Sequence, residues 1–203
     1  MSELVPVAVY PFRGDAEVAR AHLAAEGIAA VVVADDEGGL NPGFYARYGV
    51  RVLVRSPDLA TARSVIGPPS ELVLDPQLIE AMVAHSGFCY PEEACGLLAA
   101  DESGAMRMVY CLTNVDHSPN RFTVDPAEHY HAWRHAEANG WTMAGSFHSH
   151  PRTEPVPSSS DVAGALDPDW WYVVVGPVAG DTEVRCYRIE HREVIEVAVR
   201  RVG

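Results

Sequence analysis

His148-Ser149-His150-Pro151, with Ser158-Ser159-Ser160-Asp161 a short loop later, is the stretch on which the reading of this chain turns. Side chains alternate across a strand, so His148 and His150 can turn two imidazoles toward one ion, whereas residues two apart on a helix diverge. The preceding Trp141-Thr142-Met143-Ala144-Gly145-Ser146-Phe147 is largely apolar or small, and Pro151 cannot donate to a ladder. The pair is expected at a strand end. Beyond Pro155-Val156-Pro157 and the serine run, Val162-Ala163-Gly164-Ala165-Leu166 reads as a short helix that carries Asp161 in its first turn. Two imidazoles and a carboxylate can close three corners of a zinc tetrahedron and leave the fourth to water, the pattern of catalytic rather than structural zinc.

A plainer reading stands beside this one. Ser158-x-x-Asp161 is also a capping-box-like pattern, with Ser158 as the cap and Asp161 at the positive end of the helix. A His-x-His pair by itself is common and usually only exposed or hydrogen-bonded. The two readings are compatible, because a hydroxyl offers one donor and two acceptor sites, so Ser158 can cap the helix and still donate to a substrate oxygen.

Taken together, His148-Ser149-His150, seven further residues, Ser158, two more and Asp161 resemble the signature of the JAMM (MPN+) metalloproteases, including their bacterial branch. Bacterial members also carry an upstream glutamate in a segment like Pro-x-Glu-x-Cys-Gly, which Pro91-Glu92-Glu93-Ala94-Cys95-Gly96 matches, and alignment on Cys95-Gly96 selects Glu93 over Glu92. Asn120-Arg121-Phe122-Thr123-Val124-Asp125-Pro126 is similar to another stretch of the family, so the likeness covers about residues 71–202. The resemblance implies that His148, His150 and Asp161 hold Zn2+, that Glu93 is the general base, and that Ser158 helps to stabilise the tetrahedral intermediate. Zinc lowers the pKa of a coordinated water to about 7 and polarises a carbonyl, so a nearby carboxylate can take the proton and pass it to a leaving amine. Without the downstream residues, Glu92-Glu93 would read as an exposed acidic turn after Pro91.

Related bacterial and archaeal proteins act on ubiquitin-like or sulfur-carrier proteins ending in Gly-Gly, releasing a protein amine or cysteine after the last glycine. The function implied is a zinc-dependent isopeptidase or peptidase with such a protein as partner. A residue without a side chain suits a narrow channel beside the metal. The alternative is a non-catalytic module of the MPN fold that binds a ubiquitin-like protein; relatives of that kind lack the zinc ligands that are present here. A RadC-like, DNA-associated protein shares a similar histidine and Ser-x-x-Asp arrangement, but the acidic charge and the Pro-x-Glu-x-Cys-Gly segment oppose it. A zinc nucleobase deaminase is excluded by the missing Cys-x-x-Cys ligands.

Charge and composition narrow the field further. The formal net charge of −13 disfavours binding to phosphate backbones, so nucleic acid is not an expected partner. Hydrophobic residues make up 48% of the chain and charged ones 21%, a balance that can bury a core. No apolar run approaches the length of a membrane span, and no leader pattern opens the chain, so a cytoplasmic location and no membrane partner are expected. Cys89, Cys95, Cys111 and Cys186 form no Cys-x-x-Cys pair and read as reduced, mostly buried thiols. The sequence leaves a homo-oligomer open.

Gly67-Pro68-Pro69-Ser70 breaks the helical pattern of residues 59–66 and divides the chain into a first domain, 1–66, a linker, 67–70, and a second domain, 71–203. In the first, residues 5–10, 28–34 and 50–54 read as strands and 15–26 as an alanine-rich helix ended by Gly27, while Ser56-Pro57 opens a further helix in the order cap then proline. This β-α-β-β-α order predicts a small ferredoxin-like module and resembles a short bacterial signal-transducing domain, implying a regulatory role. The acidic loop of residues 35–42 reads as solvated. In the second domain, Asp75-Pro76 opens a helix to about His85 and Asp125-Pro126 another to about Asn139, closed by Gly140. Strands are expected at 97–100, 106–112, 141–148, 170–176, 183–190 and 192–199, which gives an α+β fold, a JAMM/MPN-type mixed sheet flanked by helices. His131 and His135 share a helical face but lack the glutamate of the helical metalloprotease motif and any third ligand. The other histidines, His22, His85, His117, His129 and His191, read as surface or ordinary hydrogen-bonding residues, and Trp170-Trp171 as core at a strand start.

Overall fold

A computed structural model of the chain describes residues 3–10, 13–34, 50–66, 71–165, 167–190 and 192–202. The acidic loop of 35–42, the boundary segment 67–70, Leu166 and His191 lie outside the described residues. The chain separates into two compact units, Met1–Ser70 and Glu71–Gly203, each taken here by itself.

The first unit runs β1 (Leu4–Tyr10), α1 (Arg13–Ala25), β2 (Ala30–Ala34), β3 (Val50–Arg55) and α2 (Leu59–Ile66). Its sheet has the order β1-β3-β2 with both pairings antiparallel, so β3 lies between the two strands that α1 connects, as in a ferredoxin-like module. Ala16, Ala19 and Leu23, spaced to share one face of α1, are buried with Val50, Val52 and Val54 of β3. β2 starts two residues later than the sequence suggests, because Gly27 (φ +77°) and Ile28 are used to end α1: their N–H groups donate to the carbonyls of Ala24 and Leu23. Ser56 is not a side-chain cap. It begins a 3-10 turn, Ser56–Asp58, with Pro57 in its first positions, and α2 follows directly.

The second unit contains β4 (Glu71–Leu74), α3 (Pro76–Cys89), β5 (Cys95–Ala100), β6 (Met106–Leu112), α4 (Pro126–Ala138), β7 (Thr142–Ser149), α5 (Ser159–Gly164), β8 (Trp171–Gly176), β9 (Glu183–Glu190) and β10 (Glu193–Arg201). One mixed sheet orders the strands β4-β10-β9-β8-β7-β5-β6, with β4 parallel to β10 and β7 parallel to β8. Asp75 and Asp125 cap α3 and α4 as expected, each accepting from backbone N–H groups of the first turn. α3 runs on past His85 to Cys89, and the buried Ser86 satisfies its hydroxyl within the helix by donating to the Met82 carbonyl.

The two helices cover opposite faces of the sheet. α3 lies across β6, β7 and β8, closing a core that includes Leu98, Phe147, Val173, Val175 and Cys186. On the other face α4 packs over β5 and β6 through Ala132, Leu97 and Leu112, while Val162 and Ala165 cover Val174, Tyr187 and Ile189. Phe147 points into the first core, so by strand alternation His148 turns to the second face, and His150 follows it there. All four cysteines are free, but only Cys95 and Cys186 are buried; Cys89 is half-buried and Cys111 exposed, which corrects the expectation of mostly buried thiols. No helix among the described residues is long and apolar enough to cross a membrane.

Close strand approach imposes two glycines. A Cβ on Gly145 would lie 2.3 Å from the Trp171 carbonyl oxygen, and one on Gly96 would lie 2.1 Å from that of Tyr110. Neither backbone atom can swing aside as a side chain could. Gly145→Ala is therefore expected to destabilise the second unit by about 1–3 kcal/mol, as overpacking does. A lower urea midpoint with unchanged slope would register the loss; an unshifted midpoint would contradict this approach of β7 to β8.

Candidate metal centre

Strand pairing builds the site. Cys95 of β5 stands opposite His148 of β7, and the chain just before β5 is fastened to the end of β7 by two bonds: Ser149 N–H donates to the Ala94 carbonyl (2.9 Å), and Ala94 N–H donates to Ser149 Oγ (2.8 Å). Ser149, fully buried, is the residue between the histidines, and by alternation its side chain points away from theirs. Glu93, one residue before Ala94, is thereby held beside the two imidazoles.

Beyond β7, the N–H of His150 donates to the Val175 carbonyl, which extends the pairing with β8 by one residue. The next turn is anchored by Tyr187, whose hydroxyl donates to the Pro155 carbonyl (2.7 Å). α5 then begins with a full capping box. Ser158 N–H donates to Asp161 Oδ2 (2.6 Å), and Asp161 N–H donates to Ser158 Oγ (3.3 Å). The cap aims the Asp161 carboxylate at the histidines, so capping and ligand geometry are one feature.

His148 Nε2 and His150 Nε2 are 3.2 Å apart, and Asp161 Oδ2 lies 3.4 Å from the first and 3.6 Å from the second. The last two separations are long for hydrogen bonds. They match ligand atoms around a tetrahedral ion, which bonds of about 2.0–2.1 Å would place roughly 3.3–3.4 Å apart. His150 Nδ1 is 2.8 Å from the Glu154 carbonyl, which can only accept, so Nδ1 carries the proton and Nε2 of the neutral ring offers its lone pair to the centre. Phe122 stacks on the His148 ring at 4.9 Å between centroids. The donor set, its spacing and the fixed His150 tautomer all fit zinc. Among the described residues, His148, His150 and Asp161 form the one such cluster.

Charge at the centre is unbalanced in the way a cation would relieve. Burial opposes ionisation of Asp161, but the nearby imidazoles of His148 and His150 and the Ser158 contact outweigh it and hold the carboxyl well below the usual range. Burial likewise disfavours protonated His150, yet Asp161, the Glu154 carbonyl and Glu93 raise its pKa overall. Glu93 is 5% exposed, and burial pushes its carboxyl up to about 7; His150 draws it down and Asp161 adds to the rise. A cation among the three ligands would shift Glu93 back toward the ionised form.

Several sequence readings are sorted by these contacts. Glu92 points away into an exposed ion pair with His117 (3.0 Å), whereas Glu93 is buried beside the cluster. Ser158 is exposed and shares a 2.8 Å hydrogen bond with Ser160, so its hydroxyl is accessible at the site's rim. His135 bonds the Tyr110 hydroxyl (2.9 Å), an ordinary role, and Trp171 is core, with the Arg188 guanidinium 3.7 Å above its ring. Ser149 and Asn114 were not singled out by the sequence. Ser149 had a signal, since a polar residue facing away from two strand histidines needs a partner inside the protein; Asn114, at a strand exit, had none.

Residues 75–190 match the family of prokaryotic homologs of the JAB domain. The chain is 38% identical to the CysO-cysteine peptidase of Mycobacterium tuberculosis over 130 residues, 63% of this chain and 89% of that one. It is 33% identical to the desampylase of Haloferax volcanii over 89 residues, 43% of this chain and 64% of the other. A solution structure of a Desulfitobacterium hafniense protein superposes with a TM-score of 0.60 at 34% identity, covering 65% of this chain and 93% of its own. With the matched family spanning more than half the chain, and with the strand-borne histidines, capped aspartate and mixed sheet in place, the protein belongs to the prokaryotic JAB-domain family, a bacterial branch of the JAMM/MPN group.

Proposed function

We propose that the second unit is a zinc-dependent isopeptidase or peptidase that hydrolyses the bond after the C-terminal Gly-Gly of a ubiquitin-like or sulfur-carrier protein. The observation that carries this reading is the convergence of His148, His150 and Asp161 at mutual separations of 3.2–3.6 Å, with the buried Glu93 beside them. The relatives named for peptidase and desampylase activity support a hydrolase of this class. His148, His150 and Asp161 would hold the ion. Zinc bound there supplies Lewis acidity, polarising the scissile carbonyl and lowering the pKa of a coordinated water to about 7.

Glu93 takes the proton from the attacking water and delivers it to the departing amine, a task suited to a buried carboxylate that a cation at the neighbouring ligands would hold in its proton-accepting form. Ser158, already used as a helix cap, turns its own hydrogen toward the oxygen on which negative charge develops. Gly-Gly fits because a tail without side chains can pass close beside Phe122, whose ring stacks on His148. The free cysteines are in keeping with a reducing, cytoplasmic setting. The first unit, which contributes none of these residues, is assigned to substrate choice, regulation or self-association.

Glu93→Gln is expected to retain zinc while turnover of a Gly-Gly-linked fusion falls by about 10²–10⁴-fold, because the amide fills the same space but cannot accept a proton. Undiminished turnover with intact metal would remove Glu93 from its role. His148→Ala, His150→Ala and Asp161→Ala should each lose zinc, and activity in proportion, since two protein ligands remain; stoichiometric zinc in all three would place the ion elsewhere. Zinc bound without turnover in the unmodified chain would favour the non-catalytic binding module.

A fragment spanning Glu71–Gly203 should fold and bind zinc, because it retains β4 on β10 and every residue of the site. Removal of the first unit should raise KM more than it lowers kcat, as when binding remote from the reacting bond is lost. A zinc-loaded fragment unable to cleave a substrate of the full chain would show that the first unit helps to build the active site.

A further inference from the structure

Residues 114–124 form a loop that leaves β6 and returns to α4, closed by a bridge between Asn114 and Val124. It takes up both backbone hydrogen-bonding groups of Glu93. The Glu93 N–H donates to the Ser118 carbonyl (2.9 Å), and Asn114 Nδ2 donates to the Glu93 carbonyl (3.0 Å). Asn114 is 5% exposed and all of its amide is in use. Nδ2 also donates to the Arg121 carbonyl (3.1 Å), and Oδ1 accepts from the N–H groups of Asp116 and Thr123, both at 3.1 Å. The same loop lays Phe122 on the ring of His148. At its tip His117 adopts φ +47°, a left-handed conformation that costs a residue with a Cβ and persists where the surroundings impose it.

Glu93 sits between a helix and a strand, in a segment with no ladder of its own before Ala94. Its backbone is therefore positioned by the loop from one side and by the Ala94–Ser149 pair from the other. We infer that Asn114 is a positioning residue: its side-chain amide fixes the main chain of Glu93 relative to His148 and so sets the alignment of the general base with the scissile bond. This rests on the proposed role of Glu93. The amide is suited to the task because it presents donors and acceptors together from one planar group, so one side chain ties Glu93 to residues 116, 121 and 123 at once. A carboxylate in its place would keep the acceptors for Asp116 and Thr123 but set an oxygen against the carbonyls of Glu93 and Arg121.

The test uses the full chain with zinc. Asn114→Asp should retain stoichiometric zinc while kcat on a Gly-Gly-linked fusion falls on the order of 100-fold, the scale of a small misplacement of a reacting group. KM should stay within about threefold, because ground-state binding does not pass through Glu93. In a cycle with Glu93→Gln, Asn114→Asp should cost little further in kcat, since the two substitutions remove one function. If the aspartate variant fails to fold, Asn114→Ser is read instead; its hydroxyl can still accept from Asp116 N–H but cannot reach the Glu93 carbonyl. Unchanged kcat in the variant that folds overturns the inference, as does a full additional loss on top of Glu93→Gln or a loss of zinc that accounts for the loss of rate. An unmodified chain inert toward every such fusion would instead sink the hydrolase reading, and the positioning role with it.

Discussion

The antiparallel pairing of β5 with β7 is the constraint from which the site follows. Cys95 opposite His148 places the residue before Ala94 beside the two imidazoles, and the paired bonds between Ala94 and Ser149 lock that register. A slip of one residue would turn His148 into the α3 core and Phe147 out of it, exchanging a candidate ligand for a ring that fills the core of the second unit. Burial of Phe147 is thus what specifies the direction of His148, and the hydrophobic core and the candidate metal centre are two faces of one strand.

The polar groups around this strand are economical. Asp161 closes a capping box with the same oxygen that faces the histidines, and His150 uses one ring nitrogen on the Glu154 carbonyl to free the other. Burial raises the energetic stakes of each contact, because an unpaired carboxylate or imidazolium in such surroundings is costly. Glu93 feels this most directly: burial pushes its carboxyl up to about 7, and a cation beside it would draw it back toward the ionised form.

Much of this was legible in the sequence because it depends on local chemistry. The His-x-His spacing, Pro151, the Ser158-x-x-Asp161 cap and the Asp-Pro pairs that open α3 and α4 act over a few residues and left readable marks. What escaped depends on distant partners. β4 is only Glu71–Leu74, flanked by prolines, and is a strand because β10 lies beside it. Ile28 looks like the start of a strand but is spent on the turn that ends α1. Cys95 and Gly96 read as part of a motif, yet they open β5, since β6 and β7 pair with them on both sides. Asn114 carries no mark of its role, because only its bond from the Asp116 N–H is local and the other three run to residues that the folded chain brings together.

X-ray absorption at the zinc edge of the metal-loaded full chain tests the central claim most directly, since it reports which atoms hold the ion independently of any substrate. His148, His150, Asp161 and solvent predict a shell of nitrogen and oxygen alone at about 2.0–2.1 Å, with the outer scattering of two imidazoles. Sulfur at about 2.3 Å would instead mean that cysteine holds the metal, and would contradict the account at its base.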